Sequence, residues 1–170
     1  MAATQLSIFE FLRQARVPYT VVPHARAFTA QEEAAVTHVP GRDWAKVVAC
    51  VVDGVPIEAV LPAPLVINMD RLLELTRGSE IRLADEQELP QLFPAVAPGA
   101  MSQFGPLYGQ AVFVDVSLAA EPVIVFNAES HTEAICMRWA DFAASVRPVV
   151  GKFAEALVDQ VGLFRLSFRE

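Results

Sequence analysis

Lys46 is one of two lysines in the chain, and it stands at the mouth of the apolar run Ala45-Lys-Val-Val-Ala-Cys-Val-Val52. An ammonium entering such a segment either reaches water along its own stem or holds an anionic or polar partner. A strand can aim that cation at a phosphate, a carboxylate or a polarised carbonyl, and a partly dry cleft strengthens the attraction. Two polar segments downstream can complete a site: Pro98-Gly-Ala-Met-Ser-Gln-Phe-Gly105 and Asn127-Ala-Glu-Ser-His131. Gly99 and Gly105 either permit turns or clear the way for backbone N–H groups to meet an ester carbonyl. Ser102 offers a hydroxyl contact, without the histidine and carboxylate pattern of a serine-hydrolase triad. Asn127, Ser130 and His131 can line a pocket or order a water, although a strand-edge role for His131 is the plainer reading. His24, after Pro23, is equally open, and His38 reads most simply as a helix end. Glu129 is expected to face solvent, bordering the pocket at most. Cys50 lies in an apolar strand and reads as an inert core thiol rather than a nucleophile.

A length of 170 residues with 54% hydrophobic side chains and a mean hydropathy of +0.37 fits one well-buried domain over residues 1–170. Charges and prolines interrupt every apolar run before about 18 residues, so no membrane span is expected. The first residues lack the basic flank and apolar stretch of a signal peptide. Cys50 and Cys136 both sit in apolar segments and read as reduced thiols, which points to the cytoplasm. Two cysteines and three histidines do not suggest a structural zinc site. The net charge of −7 argues against broad nucleic-acid binding, and against DNA as a partner. That charge is uneven: residues 1–50 carry five basic and four acidic side chains, and the remainder carries eight and sixteen. A local basic surface from Arg13, Arg16, Arg26, Arg42 and Lys46 therefore depends on whether the fold gathers them.

The elements that must position these groups follow from caps and breakers. Ser7-Ile-Phe-Glu10 is a capping box for a helix to about Arg16, and Thr29-Ala-Gln-Glu32 predicts a second, ending near His38. A strand at Tyr19–Val22 lies between them. Asp53-Gly54 predicts a hairpin joining Lys46–Val52 to Ile57–Leu61. Asn68 caps a helix over Met69–Leu75 that Gly78 stops, and Asp85-Glu-Gln-Glu88 is a third capping candidate, for a helix ended by Pro94. Residues 97–109 read as a long loop of the kind that holds binding groups. Strands are expected at Glu80–Leu83, Ala111–Val114, Pro122–Phe126 and Thr132–Arg138, a helix at Trp139–Val146, and a weakly helical tail from Gly151 to Val161. Hairpins mixed with helical excursions favour a mixed sheet or partly closed barrel over a doubly wound parallel sheet. Neither Gly-x-Gly-x-x-Gly nor a phosphate-loop signature is present.

Taken together, Gly41-Arg-Asp-Trp-Ala-Lys46 before an apolar hairpin, Phe104-Gly-Pro-Leu-Tyr-Gly109 and Phe126-Asn-Ala-Glu-Ser-His-Thr-Glu133 resemble the YbaK family. This family is also called the prolyl-tRNA synthetase-associated editing-domain family, and the likeness runs from about Tyr19 to Val150. The resemblance implies a mixed α/β (α+β) single domain with a twisted, mixed, partly closed barrel-like sheet flanked by helices. It implies a trans-editing aminoacyl-tRNA deacylase, independent of metal or other cofactor, acting on the acceptor end of a mischarged tRNA. A small amino acid such as alanine on a proline tRNA is the expected substrate, and an aminoacyl-tRNA synthetase is a candidate partner. Lys46 matches the family's essential lysine and Gly99 the loop glycine whose backbone contacts the aminoacyl group. Substrate contacts are expected from His24, Arg42, Ala100, Met101, Ser102, Phe104, Asn127, Ser130 and His131. The chain departs from the family pattern at Gln103, where proline is usual, and at Glu129, where glycine is usual. Alternative readings are a noncatalytic module for tRNA ends or a synthetase, and a hydrolase of small-molecule esters or amides.

Overall fold

Local capping chemistry shapes the first half of the chain. In the computed structural model, which describes residues 6–94 and 101–157, helix α1 spans Ile8–Gln14. Ser7 Oγ accepts from the Glu10 N–H at 3.2 Å and the Glu10 carboxylate accepts from the Ser7 N–H at 2.9 Å, a complete capping box. Strand β1 (Thr20–Pro23) follows, then α2 (Ala30–Thr37). Thr29 caps α2, but Glu32 reaches past it to the Phe28 N–H at 3.1 Å. A 3-10 turn at Gly41–Asp43 leads into β2 (Ala45–Val52), which pairs antiparallel with β3 (Val55–Pro62). Asp53 and Gly54 hold φ of 48° and 81°, the two positive values that a tight hairpin of matching twist requires.

Strand β4 (Leu65–Ile67) precedes α3 (Met69–Thr76), which Asn68 caps and which ends on Arg77 at φ 59°, one residue before the predicted stop at Gly78. Strand β5 (Ile81–Leu83) and α4 (Leu89–Leu92) come next. The third capping candidate forms only in half, with Glu88 accepting from the Asp85 N–H at 2.7 Å while the helix starts after it. A 3-10 turn at Gly105–Tyr108 leads to β6 (Ala111–Asp115), α5 (Val116–Ala119), β7 (Val123–Asn127), β8 (Glu133–Arg138) and α6 (Trp139–Val146). The described part of the tail is not helical: it holds β9 (Val149–Gly151) and β10 (Ala154–Ala156). The Asp115 carboxylate accepts from the Phe153 and Ala154 N–H groups at 2.8 and 2.7 Å, and β10 pairs with β4, so tertiary bonding overrides a weak local preference.

The fold is mixed α/β with several sheets, and the expected partly closed barrel-like sheet is not what forms. The strands divide into an open five-stranded sheet, β5-β2-β3-β6-β9, a three-stranded sheet, β1-β8-β7, and a two-stranded ladder, β10-β4. Closure would need the two edges of the large sheet to pair, yet each edge strand has only three residues. The β7–β8 hairpin instead takes β1 as its third strand. A parallel bridge, Trp44 to Val125, ties the three-stranded sheet to the entrance of β2.

One core cluster gathers Ile8, Leu12, Val60, Val114, Phe104, Phe126 and Phe142, and another holds Cys50, Leu61, Leu72, Phe113 and Phe153. Glu58 is an anomaly: it is fully buried in β3, and neither carboxylate oxygen has a hydrogen-bond partner among the described residues. Burial pushes its carboxyl well above the usual range. A raised carboxyl costs nothing below its unfolded pKa and progressively more stability as pH rises towards its folded one. Glu58→Met should therefore stabilise the protein by about 1–3 kcal/mol near neutral pH and by less at pH 4–5. Urea denaturation at both pH values checks this, and an equal gain at the two would contradict the account.

Candidate functional site

Helix α2 and the ends of two strands build the site. The cap at Thr29 sets the phase of α2 so that Ala30, Glu33, Ala34 and Thr37 form an i, i+3, i+4, i+7 stripe. These are the residues of the helix that are not exposed. Ala34 packs with the fully buried Trp44 and with Val125. The Trp44–Val125 bridge is parallel, so two residues onward Lys46 of β2 and Asn127 of β7 come to the same level. The result is a cavity of about 160 Å³ lined by Ala30, Gln31, Glu33, Trp44, Lys46, Val47, Met101 and Asn127. That volume exceeds the space of a single water several-fold and suits a small organic group.

The cavity holds an ammonium and a carboxyl, groups whose ionised forms have opposite sign. Lys46 is half-buried, and desolvation lowers its ammonium pKa. No carboxylate among the described residues lies within ion-pair distance of it. Glu33 is 1% exposed, and its carboxyl is pushed up to about 7. Desolvation is the main cause, a hydrogen bond from Asn127 opposes it, and the neighbouring Glu32 adds to it. Among the described residues, neither Glu33 Oε1 nor Asn127 Oδ1 has a hydrogen-bond partner. Sequence reasoning passed over Glu33 by assigning its neighbour Glu32 to the cap. The small-residue stripe on α2 was the available signal, since it turns Glu33 inward.

Lys46, Met101 and Asn127 meet in this cavity, and the other sequence-derived candidates among the described residues do not line it. Gly99 and Ala100 lie outside the described residues. Ser102 is buried, and its hydroxyl accepts from the Phe104 N–H at 3.2 Å, closing a local turn. Phe104 is fully buried, with ring centroids 5.5–5.7 Å from those of Phe11, Phe126 and Phe142. It belongs to the core, because its ring finds three aromatic neighbours there. Gly105 is required by packing: an added Cβ would stand 2.6 Å from the Gln110 carbonyl oxygen.

Ser130 accepts from the Thr132 and Glu133 N–H groups at 3.3 and 3.1 Å and so organises the β7–β8 turn. His131 places Nδ1 3.0 Å from the Ala27 carbonyl oxygen and packs its ring on Phe28, with centroids 4.9 Å apart. His24 sits edge-on to Trp44 with Nδ1 2.7 Å from the Ala25 carbonyl oxygen. Arg42 is on the surface, its side chain 72% exposed, with ion-pair distances of 3.8 Å to Asp43 and 4.0 Å to Glu121. Cys50 is a core thiol that burial pushes up to about 11.

The two family departures have structural occupations. The Gln103 side-chain amide donates to the Ala45 carbonyl at 2.6 Å, tying the loop to the strand beside Lys46. Glu129 adopts φ 59°, a left-handed conformation in which glycine carries no Cβ penalty. It is not the solvent-facing residue expected: its carboxylate accepts from the Tyr108 hydroxyl at 2.8 Å and from the Ile8 N–H at the start of α1.

Among the described residues no group of three or more histidine, cysteine, aspartate or glutamate side chains could hold a metal ion. No helix among them is long and apolar enough to cross a membrane. No curated protein matches the sequence. Among solved structures, the fold is similar to that of the hypothetical protein APE2540, with a TM-score of 0.78 at 17% identity over 87% of this chain and 99% of that one. It is also similar to that of a candidate trans-editing enzyme for prolyl tRNA synthetase, with a TM-score of 0.71 at 17% identity over 81% of this chain and 87% of the other. At that identity the likeness concerns the fold. The model of the aminoacyl-tRNA editing domain matches residues 24–144, which span α2, the Lys46 strand, the loop and the Asn127 strand end. The chain belongs to the aminoacyl-tRNA editing domain family.

Proposed function

We propose that the protein acts as one trans-editing domain, a deacylase that hydrolyses the ester between a wrongly attached small amino acid and the terminal adenosine of a tRNA. The observation that carries this reading is the cavity itself, small in volume and lined by Lys46, Glu33 and Asn127. The YbaK resemblance and the fold shared with the candidate trans-editing enzyme for prolyl tRNA synthetase support it, and the resemblance makes alanine on a proline tRNA the substrate we propose. An aminoacyl ester is already activated, so a fixed cation, backbone donors and a held water suffice for hydrolysis. Lys46 would hold the carbonyl or the adjoining phosphate, and Gly99 would present its backbone to the aminoacyl group. Editing is needed because one methylene provides only about 1–3 kcal/mol of discrimination during charging. A cavity that admits the smaller side chain supplies the second sieve. We place this activity in the cytoplasm, with a synthetase as a further partner.

The test is hydrolysis of a panel of correctly and wrongly charged tRNAs by the folded protein. Selective release from one mischarged species supports the reading. Binding of tRNA ends without turnover would replace it with a noncatalytic module, and cleavage of simple esters without tRNA dependence would replace it with a small-molecule hydrolase.

The acceptor end must approach an acidic protein, so local positive charge has to receive its phosphates. Exposed Arg42 sits four residues before Lys46 on the turn that feeds β2. Arg42→Ala is expected to weaken tRNA binding and reduce the slope of log affinity against log salt by roughly one. Fluorescence titrations at several salt concentrations check it, and an unchanged slope would remove Arg42 from the contact surface.

A further inference from the structure

We infer that Glu33 is the anchor for the substrate's α-ammonium group, so that the cavity selects aminoacyl esters whose α-amine is free. This rests on the deacylase reading and adds a substrate requirement to it. Glu33 is almost completely buried and lines the cavity beside Asn127, yet its Oε1 has no hydrogen-bond partner among the described residues. A buried carboxylate is stable only when paired or well hydrogen-bonded. Among the described residues no basic group forms an ion pair with it, Lys46 included, although Lys46 lines the same cavity. Among the described residues, Glu32 on its own helix acts electrostatically on Glu33, and Lys46 of β2 and Asn127 of β7 line the same cavity.

A carboxyl without an ion-pair partner and an ammonium lining one small cavity form a complement to a dipolar ligand. An α-aminoacyl ester is such a ligand: its ammonium lies one carbon away from a carbonyl whose oxygen becomes negative during hydrolysis. Seated with the ammonium on Glu33, the ester carbonyl turns towards Lys46. The incoming cation supplies the missing partner and favours the ionised carboxylate, which near neutral pH is within easy reach. Charge-assisted hydrogen bonds of this kind are among the stronger single polar contacts.

The experiment compares a mischarged aminoacyl-tRNA with its N-acetylated counterpart, using wild-type protein and Glu33→Gln. Wild type is expected to prefer the free amine by roughly 10- to 100-fold in kcat/KM, the range of one charge-assisted hydrogen bond. Glu33→Gln should bring that ratio close to one, chiefly through KM for the free amine. Equal hydrolysis of the two substrates by wild type overturns the inference while leaving the deacylase reading intact. An equal loss on both substrates in Glu33→Gln also overturns it and assigns Glu33 to proton transfer. A second measurement needs neither turnover nor the variant. Alanine methyl ester should shift the amide resonances of Ala30 and Asn127 in wild type, and N-acetylalanine methyl ester should not. Equal shifts, or none with either, would sink the anchor role even if no tRNA is deacylated.

Discussion

Lys46→Ala is expected to lower kcat/KM for deacylation of the mischarged tRNA by about 10²–10³-fold, the usual loss when one preorganised electrostatic contact to a developing oxyanion is removed. Three features of the site set that magnitude. The ammonium is half-buried, so its field is less screened than that of a surface lysine. It has no carboxylate partner among the described residues, so its charge is available to a ligand. It also enters from β2 beside the Gln103–Ala45 hydrogen bond, which fixes the strand against the loop. The variant should fold normally, because the side chain makes no ion pair that its loss would break. Lys46→Arg should restore little, since a planar fork is bulkier than an ammonium in a cavity of about 160 Å³. Single-turnover hydrolysis with circular dichroism on the same samples would decide the matter. Activity within threefold of wild type in Lys46→Ala would remove the lysine from the chemistry.

Phe104→Ala should cost about 3–5 kcal/mol of stability, the range for deleting a buried phenyl ring. Its ring has no exposed surface and joins α1 to α6 through Phe11, Phe126 and Phe142, so the space it leaves cannot fill from solvent. Phe104→Leu should cost markedly less, because it preserves most of the volume. This pair separates packing from substrate contact. A core residue loses stability in proportion to the cavity created. A substrate-lining residue would lose activity with its denaturation midpoint unchanged, and that outcome would return Phe104 to the site.

The difference between Phe104 and Lys46 illustrates how much of the site was legible. Both stand in motifs that resemble the family, and linear position treats them alike. Lys46 could be picked out because a lone cation in an apolar strand is conspicuous in any arrangement. Phe104 looked like a pocket wall because its neighbours in the chain are glycines and small polar residues. Its actual neighbours come from α1, β7 and α6, at sequence separations that no local pattern conveys. Glu33 is the converse case. Its chain neighbours suggest a solvated helix, and its spatial neighbours, Trp44 and Asn127, are what make it buried and ionisable near neutral pH.

The sequence by itself determined where several of the elements start and where the first hairpin turns. The hydroxyls of Ser7 and Thr29 and the amide of Asn68 cap the helices they precede, and Asp53-Gly54 turns the hairpin, because these are bonds and torsions within a few residues. It also determined that Lys46 needs a partner or a route to water. Only the tertiary structure decided that the strands separate into three sheets instead of curling into one, and that the tail adds a strand to β4. It decided, too, that Glu129 braces Tyr108 and the start of α1, and that Glu33 and Lys46 line one cavity. Strand pairing and burial depend on which distant faces meet, and the local pattern of a strand or helix leaves several partners equally open until the core packs.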